Sequence, residues 1–160
     1  MYYDDGEVRV RESIQDDVVQ LSKNMRESDK AEIWASNHLT PFEALDKGLE
    51  NSSFCLTVEN GRPIAMFGTS CEHLIASKAV VWLLASDDLV KIQRRFLRYS
   101  RTFIDIMLSR YPYLENYVDV RNKKSITWLK LCGATIEEPI PYGADQMMFS
   151  HFYFRRESNV

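Results

Sequence analysis

The hydrophobic positions of this chain switch between a period of two and a period near 3.6, and each switch marks an element. The clearest series runs from Ala79 to Ala134. Ala79-Val80-Val81-Trp82-Leu83-Leu84-Ala85 is an apolar run rich in β-formers and predicts a buried strand. Ser86-Asp87-Asp88 follows, three short polar residues able to cap a helix and to place negative charge at its positive end. Apolar residues then recur at Ile92, Phe96, Tyr99, Phe103, Ile106 and Met107, which predicts a long helix. Tyr111-Pro112 stops it, because proline cannot continue a helix. Tyr117-Val118-Asp119-Val120 predicts a second strand, and Asn122 caps a second helix from Lys123 to Leu131. Gly133 supplies the left-handed residue that ends it. Two strands joined in this way are parallel with a right-handed crossover. Ligands in such units sit beyond the carboxyl ends of the strands, here near Ser86 and Arg121-Asn122.

Upstream, Glu7 to Arg11 alternates polar and apolar and predicts a half-buried strand. Ser13-Ile14-Gln15-Asp16 resembles a capping box and opens a helix with Val18, Val19, Leu21 and Met25 as its buried face. Ser28-Asp29 opens a short helix through Ala31, Ile33 and Trp34. Thr40-Pro41-Phe42-Glu43 is a fuller start: a threonine cap, proline in the first turn, and glutamate at the third position. Phe54 to Val58 and Pro63 to Gly68 predict two strands joined at Asn60-Gly61, a favoured hairpin turn. After a looser segment from Ser70 to Ser77 and the central unit, Ala134 to Ile136 predicts a strand. Pro139 to Ala144 predicts a turn, Met147 to Phe154 a final strand, and Arg155 to Val160 a frayed tail. The sum is a single α/β domain with a mixed sheet of six or seven strands flanked by helices.

Composition narrows the class without naming an activity. Of 160 residues, 45% are hydrophobic and 27% charged, as in a globular domain, and the net charge of −3 does not advertise nucleic-acid binding. No apolar run is long enough to span a membrane, and the acidic N-terminus lacks the blocks of a signal peptide. Cys55, Cys71 and Cys132 are scattered and read as reduced thiols, and with His38, His73 and His151 they form no metal-ligand spacing. Trp34, Trp82 and Trp128 read as core residues rather than a ligand cage.

The element order, with its late β-α-β-α unit, resembles the GNAT acetyltransferase fold. The local match is Asn122-Lys123-Lys124-Ser125-Ile126-Thr127-Trp128-Leu129-Lys130-Leu131-Cys132-Gly133-Ala134. Further segments resemble a narrower family, the GNAT-like internal virion protein A family of short-tailed bacteriophages. They are Met25-Arg26-x-x-Asp29-x-x-Glu32-Ile33-x-Ala35, Leu39-Thr40-Pro41-x-x-Ala44-Leu45, Pro63-x-Ala65-Met66-Phe67-Gly68, Trp82-Leu83-Leu84-x-Ser86-Asp87 and Arg110-Tyr111-Pro112-x-Leu114-x-Asn116-Tyr117-Val118-Asp119. The fold implies acetyl-CoA binding and acetyl transfer to an amine of a protein or small molecule. The narrower family implies a role in virion morphogenesis or genome delivery, with other virion proteins as partners and a host protein as the alternative. It places the protein in the host cytoplasm during infection and with the virion.

By this resemblance the cofactor contacts fall at Leu84, Ser86, Lys91, Arg94, Arg95, Asn122 and Ser125. A phosphate cradle of this kind needs glycines that let backbone N–H groups approach the anion. Asp87 to Arg95 contains no glycine, and Asp87 with Asp88 places like charge beside the phosphates, so weak or absent acetyl-CoA binding is expected. The superfamily's tyrosine acid falls at Trp128-Leu129, and neither residue can release a proton. No catalytic residue is assigned. Glu72 and His73 are the candidate bases near the fourth strand but read first as solvated loop residues. Lys91, Arg94, Arg95, Arg98 and Arg101 form a stripe on the long helix, read first as a solvated face. Cofactor phosphate, packaged DNA or an acidic partner are its functional alternatives.

Overall fold

A computed structural model describes residues 1–71 and 77–157. Nine strands among them form one sheet: β1 (Tyr3–Asp4), β2 (Arg9–Glu12), β3 (Ser52–Glu59), β4 (Pro63–Ser70), β5 (Lys78–Ala85), β6 (Tyr113–Asp119), β7 (Thr135–Ile136), β8 (Ile140–Tyr142) and β9 (Met147–Arg155). Their order is β1-β2-β3-β4-β5-β6-β9-β7, with β8 added to β9. The expected six or seven strands are exceeded because β1 and β8 are too short to show alternation. β8 occupies the stretch read as a turn, where Ile140 and Tyr142 pair with Phe149 and Met147. The crossover from β5 to β6 gives the parallel pair that the pattern implies.

The strand side chains divide two helical layers. Phe67 of β4, Val81 and Leu83 of β5 and Leu114 of β6 face α4 (Gln93–Arg110) and α5 (Lys123–Leu131), meeting Phe96, Phe103, Met107 and Leu129. Met66, Trp82 and Leu84 point the other way, against Val18 and Leu21 of α1 (Gln15–Ser22), Ile33 of α2 (Glu27–Asn37) and Leu45 of α3 (Pro41–Asn51). Period-two alternation in β4 and β5 therefore feeds two cores at once.

The start of α3 forms as the sequence predicts: Thr40 accepts from the Glu43 N–H and Glu43 reaches back to Thr40. The start of α1 differs. Ile14 is the cap residue, its side chain cannot accept a hydrogen bond, and the Asp17 carboxylate takes the Ile14 N–H at 2.9 Å. Asp17 is buried, so Val19 turns outward at 36% exposure instead of joining the buried face. The long helix begins only at Gln93, because Asp87–Ile92 winds as a 3₁₀ helix and Ile92 leaves the α region. Trp34 is 52% exposed and stacks on His38, so it is not a core residue. Trp82 and Trp128 pack against the two cores. The start of the expected tail is tied down. Arg155 lies in β9, and Arg156 donates to the Ser109 carbonyl at 2.7 Å and, through its main-chain N–H, to that of Pro112 at 2.9 Å.

Gly133 has φ +93, the left-handed conformation that closes α5, and a Cβ there meets nothing within 4 Å. The penalty of a side chain at this site is thus backbone strain alone. Gly133→Val is expected to lower stability by about 1–3 kcal/mol. An unchanged urea midpoint would refute this.

Candidate functional site

β5 and β6 pair only at Lys78–Tyr113, Ala79–Leu114 and Val80–Glu115, then separate while both run on. The wedge is Asn116. Its Nδ2 donates to the Val81 carbonyl at 2.8 Å and its Oδ1 accepts from the Tyr117 N–H at 2.8 Å, so a side-chain amide replaces the backbone ladder. Beyond it a cleft of about 770 Å³ opens, lined by both strands and by α2, α4 and α5. Backbone groups of alternate strand residues share a side. Val81 turns its carbonyl to Asn116, and Ala85 turns its N–H to Asp29 and its carbonyl to the Arg26 N–H. Leu83, between them, therefore directs its N–H and C=O into the gap.

The deep end of the cleft is polar. Asp29, 3% exposed, accepts from the Ala85 N–H at 2.9 Å, and its carboxylate lies 2.9 Å from Arg26 Nε. Burial raises its carboxyl, and Arg26 only partly offsets this. Glu32, one helical turn on, accepts from Asn122 Nδ2 at 2.9 Å. Burial pushes the Glu32 carboxyl up to about 7; the Asn122 hydrogen bond opposes this, while the Asp29 and Asp119 carboxylates add to it. Asp119, 2% exposed, is held by Arg121 at 2.6 Å. Arg26 also reaches Ser125 Oγ at 3.3 Å. Trp128 stacks on Phe96 with centroids 5.7 Å apart, and its indole N–H is buried without a partner.

A titrating Glu32 links this site to stability. Its folded value lies above the ordinary 4.5, so the folded state binds the proton more tightly than the unfolded chain. The stabilisation is complete below about pH 4.5 and is lost as pH rises through about 7. Against Glu32→Gln, the wild type is expected to lose roughly 1–3 kcal/mol between pH 4.5 and 8. Parallel pH profiles in denaturation experiments would overturn that assignment.

The sequence-derived contacts scatter. Leu84, Arg94 and Ser125 line the cleft. Asn122 is the cap of α5 and holds Glu32 from behind, and Ser86 is 3% exposed, its hydroxyl accepting from the Asp88 N–H. Lys91 and Arg95 point elsewhere: Lys91 pairs with Asp88 at 3.0 Å and Arg95 with Glu7 at 2.6 Å. Asp88 itself turns away from the cleft to Arg62 at 2.6 Å, so the repulsion expected from it does not reach the entrance. The entrance is built from Val90, Gln93 and Arg94 on one side and Lys123 and Lys124 on the other. Glu72 and His73 lie outside the described residues. The sequence reading missed Arg26, Asp29 and Glu32 as site residues. Their signals were a charged residue every third position and a place in the Met25 to Ala35 segment that carries the family resemblance.

The fold that frames this cleft is the GNAT acetyltransferase fold. The ribosomal-protein-S5-alanine acetyltransferase of Vibrio fischeri superposes with a TM-score of 0.68 at 15% identity, over 98% of this chain and 97% of that one. Ard1 of Thermoplasma volcanium gives 0.70 at 16%, over 95% and 99%. The spermidine N-acetyltransferase of Vibrio cholerae, solved with CoA and spermine, gives 0.60 at 14%, over 94% and 96%. Within that fold, the chain belongs to the family of the bacteriophage T7 probable scaffold protein Gp13, whose model matches residues 55–139. It is 32% identical over 113 residues to the probable scaffold protein gp13 of Escherichia phage T7, covering 67% of this chain and 79% of that protein.

Proposed function

We propose that this protein acts in virion morphogenesis through contacts with other phage proteins, using a GNAT fold whose phosphate entrance is degenerate. Membership of the scaffold family supports the assembly role, and the internal-virion or genome-delivery assignment is the finer form of the same reading. Host cytoplasm during infection, then the virion, is the location that fits it. Among the described residues, no helix is long and apolar enough to cross a membrane.

The observation that carries the degenerate site is the 3₁₀ helix Asp87–Ile92. Where a phosphate needs bare N–H groups, this segment has no glycine and presents Val90 and Gln93 side chains to the opening. The pyrophosphate of CoA does not fit that entrance. The deeper cleft is more accommodating, because the Leu83 backbone faces the gap where β5 and β6 no longer pair. Arg94, Lys123 and Lys124 supply charge, yet exposed ionic contacts contribute about 1 kcal/mol or less each and are screened by salt. Acetyl-CoA is therefore expected to bind weakly or not at all at 0.15 M salt in a calorimetric titration. A dissociation constant in the low micromolar range would sink this reading.

One observation favours the alternative, an acetyl-CoA-dependent N-acetyltransferase acting on an amine of a protein, host or phage, or of a small molecule. The Glu32 carboxyl, near 7 in the cleft, is poised to take a proton from an amine. Acetyl transfer to an amine panel by the wild type, lost in Glu32→Gln, would establish it.

A further inference from the structure

We propose that a second copy of this chain docks its acidic helical layer, α1–α3, onto the basic helical layer, α4–α5, so that copies associate head to tail. The two layers cover opposite faces of one sheet and carry opposite charge. α4 and α5 hold eight Lys and Arg side chains against one acid, Asp105. α1, α2 and α3 keep five acids outside the core and the cleft, Asp16, Glu27, Glu43, Asp46 and Glu50, against two lysines. A chain whose net charge is only −3 thus has two faces of opposite sign.

The charges are available. Among the described residues, Arg94, Arg98, Lys123, Lys124 and Lys130 join no ion pair, and neither do Asp16, Glu43, Asp46 and Glu50. Elsewhere the charges are mostly matched within the chain, as in Arg11 with Glu59, Arg62 with Asp88, or Arg121 with Asp119. Both layers also expose apolar anchors amid the charge. Val19, Trp34 and Phe42 are 36%, 52% and 44% exposed on the acidic layer, and Leu131 is 48% exposed on the basic one. Aromatic anchors within a charged rim are the usual composition of a protein interface, and opposed potentials orient the encounter. The two surfaces are different patches, so the contact is heterologous and each copy keeps one face for the next. This needs neither an occupied cleft nor catalysis.

The test is sedimentation velocity across a concentration series at 50 mM and 500 mM salt. The wild type is expected to grow in mass with concentration at low salt and to return to monomer at high salt. Arg98→Glu with Lys130→Glu reverses the basic layer, and Asp16→Lys with Glu50→Lys reverses the acidic one. Neither pair touches a core residue or a cleft residue. Each variant alone is expected to stay monomeric, and an equimolar mixture to associate again, which also shows that both are folded. A wild type that is monomeric at low salt overturns the proposal, as does a mixture that fails to associate. Assembly seen only on adding duplex DNA would overturn it too, assigning the basic layer to phosphate instead.

Discussion

Asp17→Ala is expected to lower stability by about 3–5 kcal/mol, the scale for leaving a buried ionic partner unpaired. Asp17 is 1% exposed at the junction of α1 with β2 and β3. It accepts two hydrogen bonds from Arg11 at 2.8 Å each, one from the Thr57 hydroxyl at 2.9 Å and one from the Ile14 N–H at 2.9 Å. Burial alone would raise its carboxyl, but the Arg11 hydrogen bonds, the Ile14 N–H and Thr57 outweigh it and hold the group below the usual carboxylate range. A depressed folded value contributes stability above the ordinary pKa of 3.8, which is lost as pH falls below it. The wild type should therefore weaken in acid more steeply than the variant. Urea unfolding free energies near neutral pH within about 1 kcal/mol of each other would show that Arg11 finds adequate partners without Asp17. Glu59, already 2.7 Å from Arg11, is the group positioned to compensate.

Gly68→Val is expected to cost roughly 3 kcal/mol or more, at the upper end of overpacking penalties. Here the requirement is space. β3 and β4 shift register between Ser52 and Phe54, and Gly68 pairs with Cys55 just beyond that irregularity. A Cβ on Gly68 would stand 2.3 Å from Phe54 O and 3.2 Å from Cys55 Cα. Both are backbone atoms of the central sheet, so relief requires moving a strand. Even Gly68→Ala should be costly, which separates this site from Gly133, where strain without collision predicts a smaller effect. Thermal unfolding of Gly68→Ala at the wild-type temperature would remove the argument.

These two sites show where sequence reasoning reaches and where it stops. The Thr40-Pro41-Glu43 helix start, the Tyr111-Pro112 stop and the Ala79 to Gly133 unit were legible because their causes are local: a cap, a missing N–H, a period. Gly68 looked like an ordinary strand end, since the Phe54 carbonyl that crowds it belongs to another strand. Asp17 fell near a capping pattern, but its burial follows from Arg11 and Thr57, which only the folded sheet brings together. The polar wall of the cleft was hidden for the same reason. Asp29 meets Ala85 across 56 residues, and Glu32 meets Asn122 across 90. The location of the cleft, at the carboxyl ends of β5 and β6, followed from topology alone. The direction of each charged side chain did not, so Lys91, Arg95 and Asp88 were assigned to an entrance they do not face.

The last strand sets a timetable for synthesis. β9 runs beside all seven residues of β6, and β7 and β8 have their partners on β9 as well. While the ribosome is still making residues before Met147, β6 can join β5 but leaves its other edge bare. That edge offers unpaired backbone groups beside Leu114 and Val118, residues that end almost fully buried. Three of the nine strands must therefore wait until Met147–Arg155 is made, and a nascent protein paused before it presents a sticky strand to its neighbours on the same message.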